Sequence, residues 1–169
     1  MIIKEARIDD RLIHGQIVTA WIQETKARAI LVADDKAAAD SFQQSLLKLA
    51  VPQGIQLIIK SLPDAAALIA RDKSTVGVLL IVRSAMDAKA LLDLGVKVDR
   101  WTLGNITGRK SEQERKSVLK YVFATQNDAD ALLAIQNAGI KVVAQSVPNE
   151  STYDIISLLR KAGFYGDTP

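Results

Sequence analysis

The sequence predicts an α/β fold, in which a single domain forms an open, mostly parallel, doubly wound sheet of about six or seven strands with helices on both faces. Short apolar runs alternate with helical patterns, and several runs are continuously apolar, as in residues 78–82. Continuous apolar runs are typical of strands buried on both faces of a parallel sheet. Regular alternation of strand and helix is typical of doubly wound folds. The 169 residues suffice for one domain with a sizeable core, and no Pro/Gly/Ser-rich linker divides them, so we expect one domain over residues 1–169.

Seven runs are predicted to be strands. In chain order they are Ile2–Ile8, Ala29–Ala33, Ile55–Ile59, Val76–Val82, Val98–Leu103, Tyr121–Phe123 and Ile140–Gln145. Gly54, Gly95 and Gly139 each follow a helical pattern and precede a strand. Glycine readily supplies the left-handed residue after a helix end, so these positions mark joints from helix to strand.

Helical periods fill the segments between the strands, and in three of them apolar residues share one helical face. These sets are Ile17, Val18, Trp21 and Ile22; Phe42, Leu46 and Leu49; and Ile155, Ile156, Leu159 and Ala162. The last helix is expected to begin at Ser151-Thr152-Tyr153-Asp154, which resembles a capping box. The most polar stretch, Gly108–Ser117, is predicted to form a long surface loop or a short exposed helix.

Composition excludes several classes of function. The net charge of +3, from 22 basic and 19 acidic residues, is too small to indicate a nucleic-acid-binding protein. The absence of cysteine excludes disulfides, and one histidine without cysteine argues against a zinc site, so we expect neither a metal nor a cofactor. The N-terminus lacks a signal-peptide pattern, and no run approaches the roughly 20 apolar residues that span a bilayer. We therefore expect a cytoplasmic protein.

His14, the only histidine, lies between the first predicted strand and the first helical pattern. Backbone N–H groups at a helix start favour anions, and loops in this position carry the chemistry of many α/β proteins. Gly15 permits close approach of the backbone, and the helix opens near Gln16. A neutral imidazole is nucleophilic near pH 7, so His14 is a candidate to accept and pass on a phosphoryl group.

Charged residues surround His14 in the sequence. Arg11 and Arg7 are candidate phosphate ligands, because a guanidinium forms bidentate bonds to phosphate oxygens. The alternative is that both arginines are solvated or are paired with Asp9 and Asp10. The two aspartates could act as a base or metal-binding pair, could bond local backbone N–H groups, or could hold one nitrogen of His14 and fix its tautomer.

Two further polar segments follow strands. Arg83-Ser84 ends the most apolar strand and is a candidate part of the phosphate-binding site, and Ser84 could also cap the next helix. The segment Gly104–Lys110 resembles a phosphate loop but misses the Walker A spacing by one residue, so it is a weak candidate anion site. Because ligands of doubly wound folds bind beyond the carboxyl ends of strands, we predict that these segments meet Asp9–Gln16 at one sheet edge.

Other conspicuous residues are assigned structural roles. Asp34-Asp35 resembles the acidic pair of a receiver domain that is phosphorylated on aspartate, but no acceptor aspartate follows the next strand, where Lys60-Ser61 stands. We interpret the pair mainly as helix-start residues. Trp21 and Trp101 are interpreted as core residues.

The segment around the histidine resembles the active-site signature of one protein family, the IIB component of the mannose/fructose/sorbose family of the bacterial sugar phosphotransferase system. The resemblance rests on the run Ala6-Arg7-Ile8-Asp9-Asp10-Arg11-Leu12-Ile13-His14-Gly15-Gln16, followed by Trp21. The length and the order of strands and helices through Leu158-Leu159-Arg160 resemble one complete IIB domain, so the similarity covers essentially the whole chain.

The resemblance implies a phosphoryl-transfer cycle. A phosphohistidine of a IIA partner would donate its phosphoryl group to Nδ1 of His14, and the surrounding loop with Arg11 would hold the phosphate. His14 would then phosphorylate a sugar carried by the membrane subunits IIC and IID, which places the protein at the inner face of the membrane. The chain has no second histidine to serve as a IIA donor, so we expect a free-standing IIB. The sugar is not specified, and a homo-oligomer is left open.

Two other function classes fit parts of the sequence. A non-catalytic anion- or nucleotide-binding α/β module explains the fold and the basic loop but assigns His14 no task. A receiver domain phosphorylated on aspartate would use Asp34-Asp35. The stability of bound phosphate separates them: phosphohistidine is labile in acid and stable in base, acyl phosphate is labile in base, and a binder retains no phosphate after denaturation.

Overall fold

The computed structural model describes residues 1–107 and 114–165, and of residues 16 and 17 it describes only the backbone. The strands are β1 (Ile2–Asp9), β2 (Ala29–Ala33), β3 (Gln56–Lys60), β4 (Gly77–Val82), β5 (Arg100–Asn105), β6 (Lys116–Leu119), β7 (Val122–Ala124), β8 (Lys141–Ala144) and β9 (Tyr153–Asp154). The helices are α1 (Gly15–Thr25), α2 (Asp35–Ala39), α3 (Ser41–Leu49), α4 (Leu62–Arg71), α5 (Ala85–Asp93), α6 (Gln126–Asn137) and α7 (Ile155–Lys161).

Seven strands form one sheet in the order β3-β2-β4-β1-β5-β8-β9. All neighbouring pairs are parallel except β8 and β9. The continuously apolar strands β2 and β4 are buried along their full length, as expected for strands that are covered on both faces. The predicted fold class is therefore confirmed: the chain forms a single α/β domain with an open, mostly parallel, doubly wound sheet.

Helices cover both faces of the sheet and enclose two apolar clusters. Helices α1, α2 and α3 pack over one face, where Val18, Trp21 and Ile22 meet strands β2 and β4. Helices α4, α5, α6 and α7 pack over the other face, which holds the larger cluster. The three joint glycines have positive φ angles of 81°, 86° and 84° at Gly54, Gly95 and Gly139, as the left-handed assignment predicts.

The hairpin β6–β7 departs from the sequence prediction. The run predicted as Tyr121–Phe123 lies at Val122–Ala124 and pairs antiparallel with β6 in a separate two-stranded sheet. Residues 116 and 117, predicted as loop or exposed helix, begin β6, while residues 108–113 lie outside the described part. Ile106 stabilises the hairpin by donating its N–H to the Tyr121 carbonyl at 3.0 Å and accepting from the Phe123 N–H at 2.7 Å. A four-residue strand held by such tertiary bonds has no clear sequence pattern.

The start of α7 also differs from the prediction. The helix begins at Ile155, and Asp154 is its N-cap, accepting hydrogen bonds from the N–H groups of Ile156 at 3.0 Å and Ser157 at 3.3 Å. The two residues expected in the first turn, Tyr153 and Asp154, instead form β9 against β8. The Asp154 carboxylate alone caps the helix by binding two of its free N–H groups. The residues before it are therefore not needed in the helix and can adopt an extended conformation.

The apolar period of residues 42–49 predicts helix α3 correctly, but it marks the exposed side of that helix. Phe42, Leu46 and Leu49 are 71%, 50% and 84% exposed, while Leu47 is buried against the sheet. Helix α3 lies at the edge of the sheet, next to strand β3, so the sheet can bury few of the helix's side chains. The apolar period of the sequence alone does not show which face of such a helix packs against the sheet.

Candidate active site

The loop between β1 and α1 lies at the carboxyl edge of the sheet, at its topological switch point. Helix α1 leaves β1 toward one face, and helix α5 leaves the adjacent strand β4 toward the other. Adjacent loops that diverge in this way leave a crevice, which is where doubly wound folds bind ligands. The position predicted for His14 therefore coincides with the ligand-binding position of the fold.

Asp10 fastens this loop to the segment after β5. Its carboxylate accepts hydrogen bonds from Asn105 Nδ2 at 2.5 Å, from the Thr107 N–H at 2.8 Å and from the Thr107 hydroxyl at 3.0 Å. The Asp10 N–H also donates to the Asn105 carbonyl at 3.0 Å. On the other side, Arg83 Nη1 donates to the Asp10 carbonyl at 3.3 Å.

The three polar segments thus meet at one sheet edge, as the sequence predicts. This holds for the described residues 9–15, 83–84 and 104–107; positions 108–110 of the third segment lie outside the described part of the chain. The anchoring roles of Asn105 and Thr107 were not predicted individually. Their place at the end of β5 and just after it, next to β1, is the sequence signal that could have found them.

The loop itself turns sharply and is anchored by apolar side chains. Leu12 has a φ of 56°, its N–H donates to the Asp9 carbonyl at 3.0 Å, and its side chain is buried in the cluster under α1 together with Ile13. A left-handed conformation costs an ordinary residue about 1–2 kcal/mol, so the burial of Leu12 must offset it. The turn directs the next residues back to the sheet edge as the first residues of α1.

His14 occupies the N-cap position of α1 and is 12% exposed at its side chain. Its Nε2 lies 3.0 Å from Asp9 Oδ2, while Asp9 Oδ1 accepts the Arg11 N–H at 3.1 Å. A carboxylate accepts only, so the ring proton belongs on Nε2 and the lone pair on Nδ1. This contact is the one that the tautomer-fixing alternative for Asp9 requires.

The start of α1 offers donors for an anion beside the imidazole. The first N–H groups of a helix have no partner within the helix, and the side chain of the N-cap residue His14 caps none of them. Gly15 has a φ of 32°, and nothing lies within 4 Å of where its Cβ would stand, so a ligand has room to approach the backbone. Of Gln16, only the backbone is described, at the second position of this turn.

The two candidate arginines of the loop lie in different surroundings. Arg11 is exposed, and no ion pair forms between its guanidinium and a described residue. Arg7 is 2% exposed, and its guanidinium donates to the carbonyls of Gln145 at 3.3 Å and Ser146 at 3.2 Å. Burial lowers the pKa of Arg7 to about 10, although Asp9 opposes the shift, so the guanidinium stays charged near neutral pH. Arg11 is thus open to solvent, whereas the Arg7 guanidinium is buried next to Asp9.

Arg83 and Ser84 are both engaged by neighbouring carboxylates. Arg83 forms a bidentate pair with Asp34, with Nε–Oδ2 at 2.7 Å and Nη2–Oδ1 at 3.1 Å. Ser84 caps α5 in a reciprocal capping box with Asp87, and burial raises the pKa of Asp87. Arg83 thus connects the site loop to β2, and Ser84 has the capping role that the sequence suggests.

Asp34 is the N-cap of α2, accepting the Ala37 N–H at 2.6 Å, as the helix-start interpretation predicts. Burial alone would raise the pKa of Asp34, but the Arg83 guanidinium and the Ala37 N–H outweigh burial and hold that pKa below its ordinary value. A carboxylate that is bound on both oxygens and almost fully buried is poorly placed to accept a phosphoryl group.

Replacing Arg83 by methionine should lower the free energy of unfolding by about 2–3 kcal/mol at pH 7, because the variant leaves the Asp34 carboxylate buried without its partner. The folded-state pKa of Asp34 is lowered, so the pair stabilises the protein above the unfolded-state pKa of about 3.9 and loses its effect as pH falls through the folded value. Urea unfolding of wild type and variant should show a gap that narrows below about pH 4.

Arg71→Met, which removes the same charge from an exposed position in α4, is the matched control and should change the unfolding free energy little. A gap for Arg83→Met that is equally large at pH 7 and pH 2.5 would show that the loss comes from packing and not from the ion pair.

A family model described as the PTS (phosphotransferase system) sorbose subfamily IIB component matches residues 3–168. The chain belongs to this family. PTS IIB components are phosphotransferases, and membership implies phosphoryl transfer in sugar uptake.

Relatives support the assignment over nearly the whole chain. The N-acetylgalactosamine-specific phosphotransferase enzyme IIB component 2 of Escherichia coli (strain K12) is 32% identical over 154 residues, covering 91% of this chain and 96% of the relative. The mannose-specific EIIAB component of the same strain is 30% identical and is matched over 49% of its length by 95% of this chain. The IIBSor domain of the Klebsiella pneumoniae sorbose permease superposes with a TM-score of 0.89 at 26% identity, covering 98% of this chain and all of that domain.

The described residues of this IIB chain contain neither a candidate metal cluster nor a helix that could span a membrane. Among residues 1–107 and 114–165, no group of three or more His, Cys, Asp or Glu residues is placed to hold a metal ion. No helix in the same residues combines the length and the apolar character needed to cross a bilayer.

Proposed function

We propose that Nδ1 of His14 accepts a phosphoryl group from a phosphohistidine of a IIA partner and then passes it to a sugar held by the membrane subunits IIC and IID. The observation that carries the proposal is the contact between His14 Nε2 and Asp9, which leaves Nδ1 as the nucleophilic nitrogen. The IIB chain would then work at the cytoplasmic face of the membrane. The name of the mannose-specific EIIAB relative, which joins A and B components in one chain, supports a IIA donor.

Both transfer steps use the same atoms of His14. In the first, the Nδ1 lone pair forms a bond to phosphorus while the phosphorus–nitrogen bond of the donor histidine breaks and its electrons return to the donor nitrogen. The proton on Nε2 stays in place and is held by Asp9, which stabilises the positive ring. In the second, a sugar hydroxyl oxygen bonds to phosphorus, the bond to Nδ1 breaks, and the hydroxyl proton leaves to solvent or a base of the membrane subunits.

The charges of the site fit a transferring phosphoryl group. Its equatorial oxygens carry negative charge in the transition state, and such reactions depend on positioning and charge stabilisation. The N–H groups at the start of α1 directly follow His14, and the exposed Arg11 precedes it by three residues, so we assign that stabilisation to both. His14 lies at the sheet edge with 12% of its side chain exposed, and a carrier needs such an accessible edge to present one phosphate to two proteins in turn.

The test is a transfer assay with the purified chain and a phosphorylated IIA domain. We expect one phosphate per chain, labile in acid and stable in base, and its release as sugar phosphate only after membranes that contain IIC and IID are added. The alternative, a non-catalytic anion- or nucleotide-binding module, predicts phosphate that is lost on denaturation. Phosphate that survives denaturation but is lost in base would indicate a carboxyl acceptor and would contradict the proposal.

Arg11→Ala should slow transfer from phosphorylated IIA on the order of a hundredfold, because one charge-assisted contact in a transition state is worth roughly 2–4 kcal/mol. Arg11→Lys should retain part of the rate, since it keeps the charge but loses the planar fork. Rapid-quench measurement on both variants decides the matter. An Arg11→Ala variant with the wild-type rate would mean that helix N–H groups alone hold the phosphate.

A further inference from the structure

The guanidinium of Arg7 lies in a slot that two residues outside the loop create. One wall is the ring of Trp21, whose centroid is 4.4 Å from Arg7 Cζ. The other wall is the backbone of Gly104 at the end of β5. A planar guanidinium between an aromatic ring and a peptide backbone has little freedom to move.

Position 104 has room only for glycine, because a side chain there would overlap with Arg7. A Cβ built on Gly104 would overlap with Nη2 of Arg7 and would lie 2.9 Å from Arg7 Cζ and 2.9 Å from Asp9 Oδ2. Its φ angle lies outside the left-handed region, so its backbone would suit any residue. The missing side chain therefore makes room for the arginine and for the carboxylate that holds His14.

Trp21 also fixes Arg7 through a shared acceptor. The Ser146 carbonyl accepts a hydrogen bond from Trp21 Nε1 at 3.0 Å and one from Arg7 Nη2 at 3.2 Å. The neighbouring Gln145 carbonyl accepts from Arg7 Nη1 at 3.3 Å. Helix α1, strand β1 and the end of β8 are thus joined at one point beneath the site.

From Arg7 the contacts lead directly to the imidazole. Arg7 Nη2 lies 3.8 Å from Asp9 Oδ2, the same oxygen that lies 3.0 Å from His14 Nε2. Both Arg7 and Asp9 are 2% exposed, so the interaction is little screened by water. The position of the guanidinium therefore determines where the Asp9 carboxylate is most stable, and the carboxylate in turn orients the ring.

We propose that Trp21 and Gly104 are positioning residues, which act through Arg7 and Asp9 to hold His14 in the tautomer and orientation that phosphoryl transfer needs. The catalytic meaning of this inference rests on the proposed function, but the effect on the ring of His14 does not. The ring of Trp21 packs against the guanidinium of Arg7. The absence of a side chain at Gly104 leaves the guanidinium room to approach Asp9.

The test uses Gly104→Ala and Trp21→Phe, each with a matched control. Gly77→Ala adds the same methyl group to another strand, where its nearest neighbour is the flexible Lys4 side chain at 3.2 Å. Trp101→Phe shortens the other buried tryptophan, which lies in the larger cluster across the sheet. Because the chain has one histidine, nitrogen-15 NMR of ring-labelled protein reports His14 alone.

In wild type and both controls we expect the neutral ring to carry its proton on Nε2, with slow exchange of that proton with water. In Gly104→Ala and Trp21→Phe we expect a mixture of tautomers, faster proton exchange, and transfer from phosphorylated IIA reduced roughly ten- to a hundredfold, the effect of a misplacement near 1 Å. Wild-type tautomer and rate in both variants would overturn the inference. If Gly104→Ala does not fold, Trp21→Phe decides by the same readouts.

The ring signals separate the failure of this inference from the failure of the proposed function. If wild type accepts no phosphoryl group, but its Nε2 proton is fixed and becomes mobile in the two variants, the positioning role stands and the transfer proposal falls. If all variants transfer at the wild-type rate with an unchanged tautomer, the positioning role falls and the transfer proposal stands.

Discussion

Replacing His14 with glutamine is expected to abolish phosphoryl acceptance, with no acid-labile label after incubation with phosphorylated IIA. The lone pair of the glutamine amide nitrogen is delocalised into the carbonyl, so this nitrogen is not a nucleophile. The amide group is still polar and can still donate a hydrogen bond to Asp9. Because His14 is the only histidine in the chain, no second imidazole can substitute for it. Stoichiometric labelling with radioactive phosphate, followed by treatment in acid and in base, measures the loss.

Folding and alternative acceptors are checked in the same experiment. The variant should unfold in urea close to wild type, because His14 is partly exposed and caps no N–H group of α1 with its side chain. Hydroxyl groups near the loop, on Ser84 and Thr107, already bond to the carboxylates of Asp87 and Asp10. Label retained by His14→Gln would refute His14 as acceptor, and its stability in acid or base would show whether a hydroxyl or a carboxyl carries it.

The sheet could be predicted because its strands are buried on both faces. Runs such as residues 78–82 have no polar side to confuse with a helix, and the glycine joints mark where strands begin. The element ends shifted by one or two residues at β3, β4 and β5. Those shifts follow from hydrogen bonding of the terminal residues, which apolar pattern does not encode.

The elements that escaped prediction depend on contacts between distant parts of the chain. Strand β9 is two exposed residues that pair with β8, and β6 is a strand of four residues whose hairpin is bonded to Ile106. Neither has a period long enough to recognise. The orientation of α3 is a related case, since only the position of the helix at the sheet edge shows that Phe42 faces away from the core.

At the site, sequence reasoning predicts which segments meet but not how their charges pair. The place of residues 9–15, 83–84 and 104–107 after neighbouring parallel strands is sufficient to bring them together. That Arg7 is buried under Asp9, while Arg11 is exposed, depends on the direction of each side chain at the strand end and in the turn. The sequence places Arg83 among the candidate phosphate-binding residues, but it does not show that the carboxylate of Asp34, 49 positions earlier, binds the Arg83 guanidinium.

Trp21 shows how a core assignment can be correct and still incomplete. The residue is 2% exposed and belongs to the apolar cluster beneath α1, as its helical period predicts. Its indole N–H nevertheless finds an acceptor in the Ser146 carbonyl, which lies after β8 and is 125 positions away. Buried tryptophan usually finds such a partner, and the ends of strands that adjoin the site strand are the places to search for it.

Asp9→Asn is expected to slow transfer on the order of a thousand- to ten-thousandfold, the effect of presenting a catalytic histidine in the wrong tautomer. If the new amide oxygen keeps the Arg11 N–H, which Asp9 Oδ1 accepts at 3.1 Å, its NH2 group faces His14 Nε2. An NH2 donor favours the lone pair on Nε2 and moves the ring proton to Nδ1, so the nucleophilic nitrogen is blocked. Single-turnover transfer from phosphorylated IIA gives the rate.

The position of the residual phosphate separates a tautomer effect from a loss of charge. Phosphorus-31 NMR should place the wild-type phosphoryl group on Nδ1, and any slow labelling of Asp9→Asn should move toward Nε2. Asp93→Asn, which removes the same charge from an exposed position at the end of α5, is the matched control and should transfer at the wild-type rate on Nδ1. If Asp9→Asn transferred at that rate on Nδ1, the contact between Asp9 and His14 would have no part in selecting the nitrogen, and the orientation of the ring would have to come from the backbone of the loop alone.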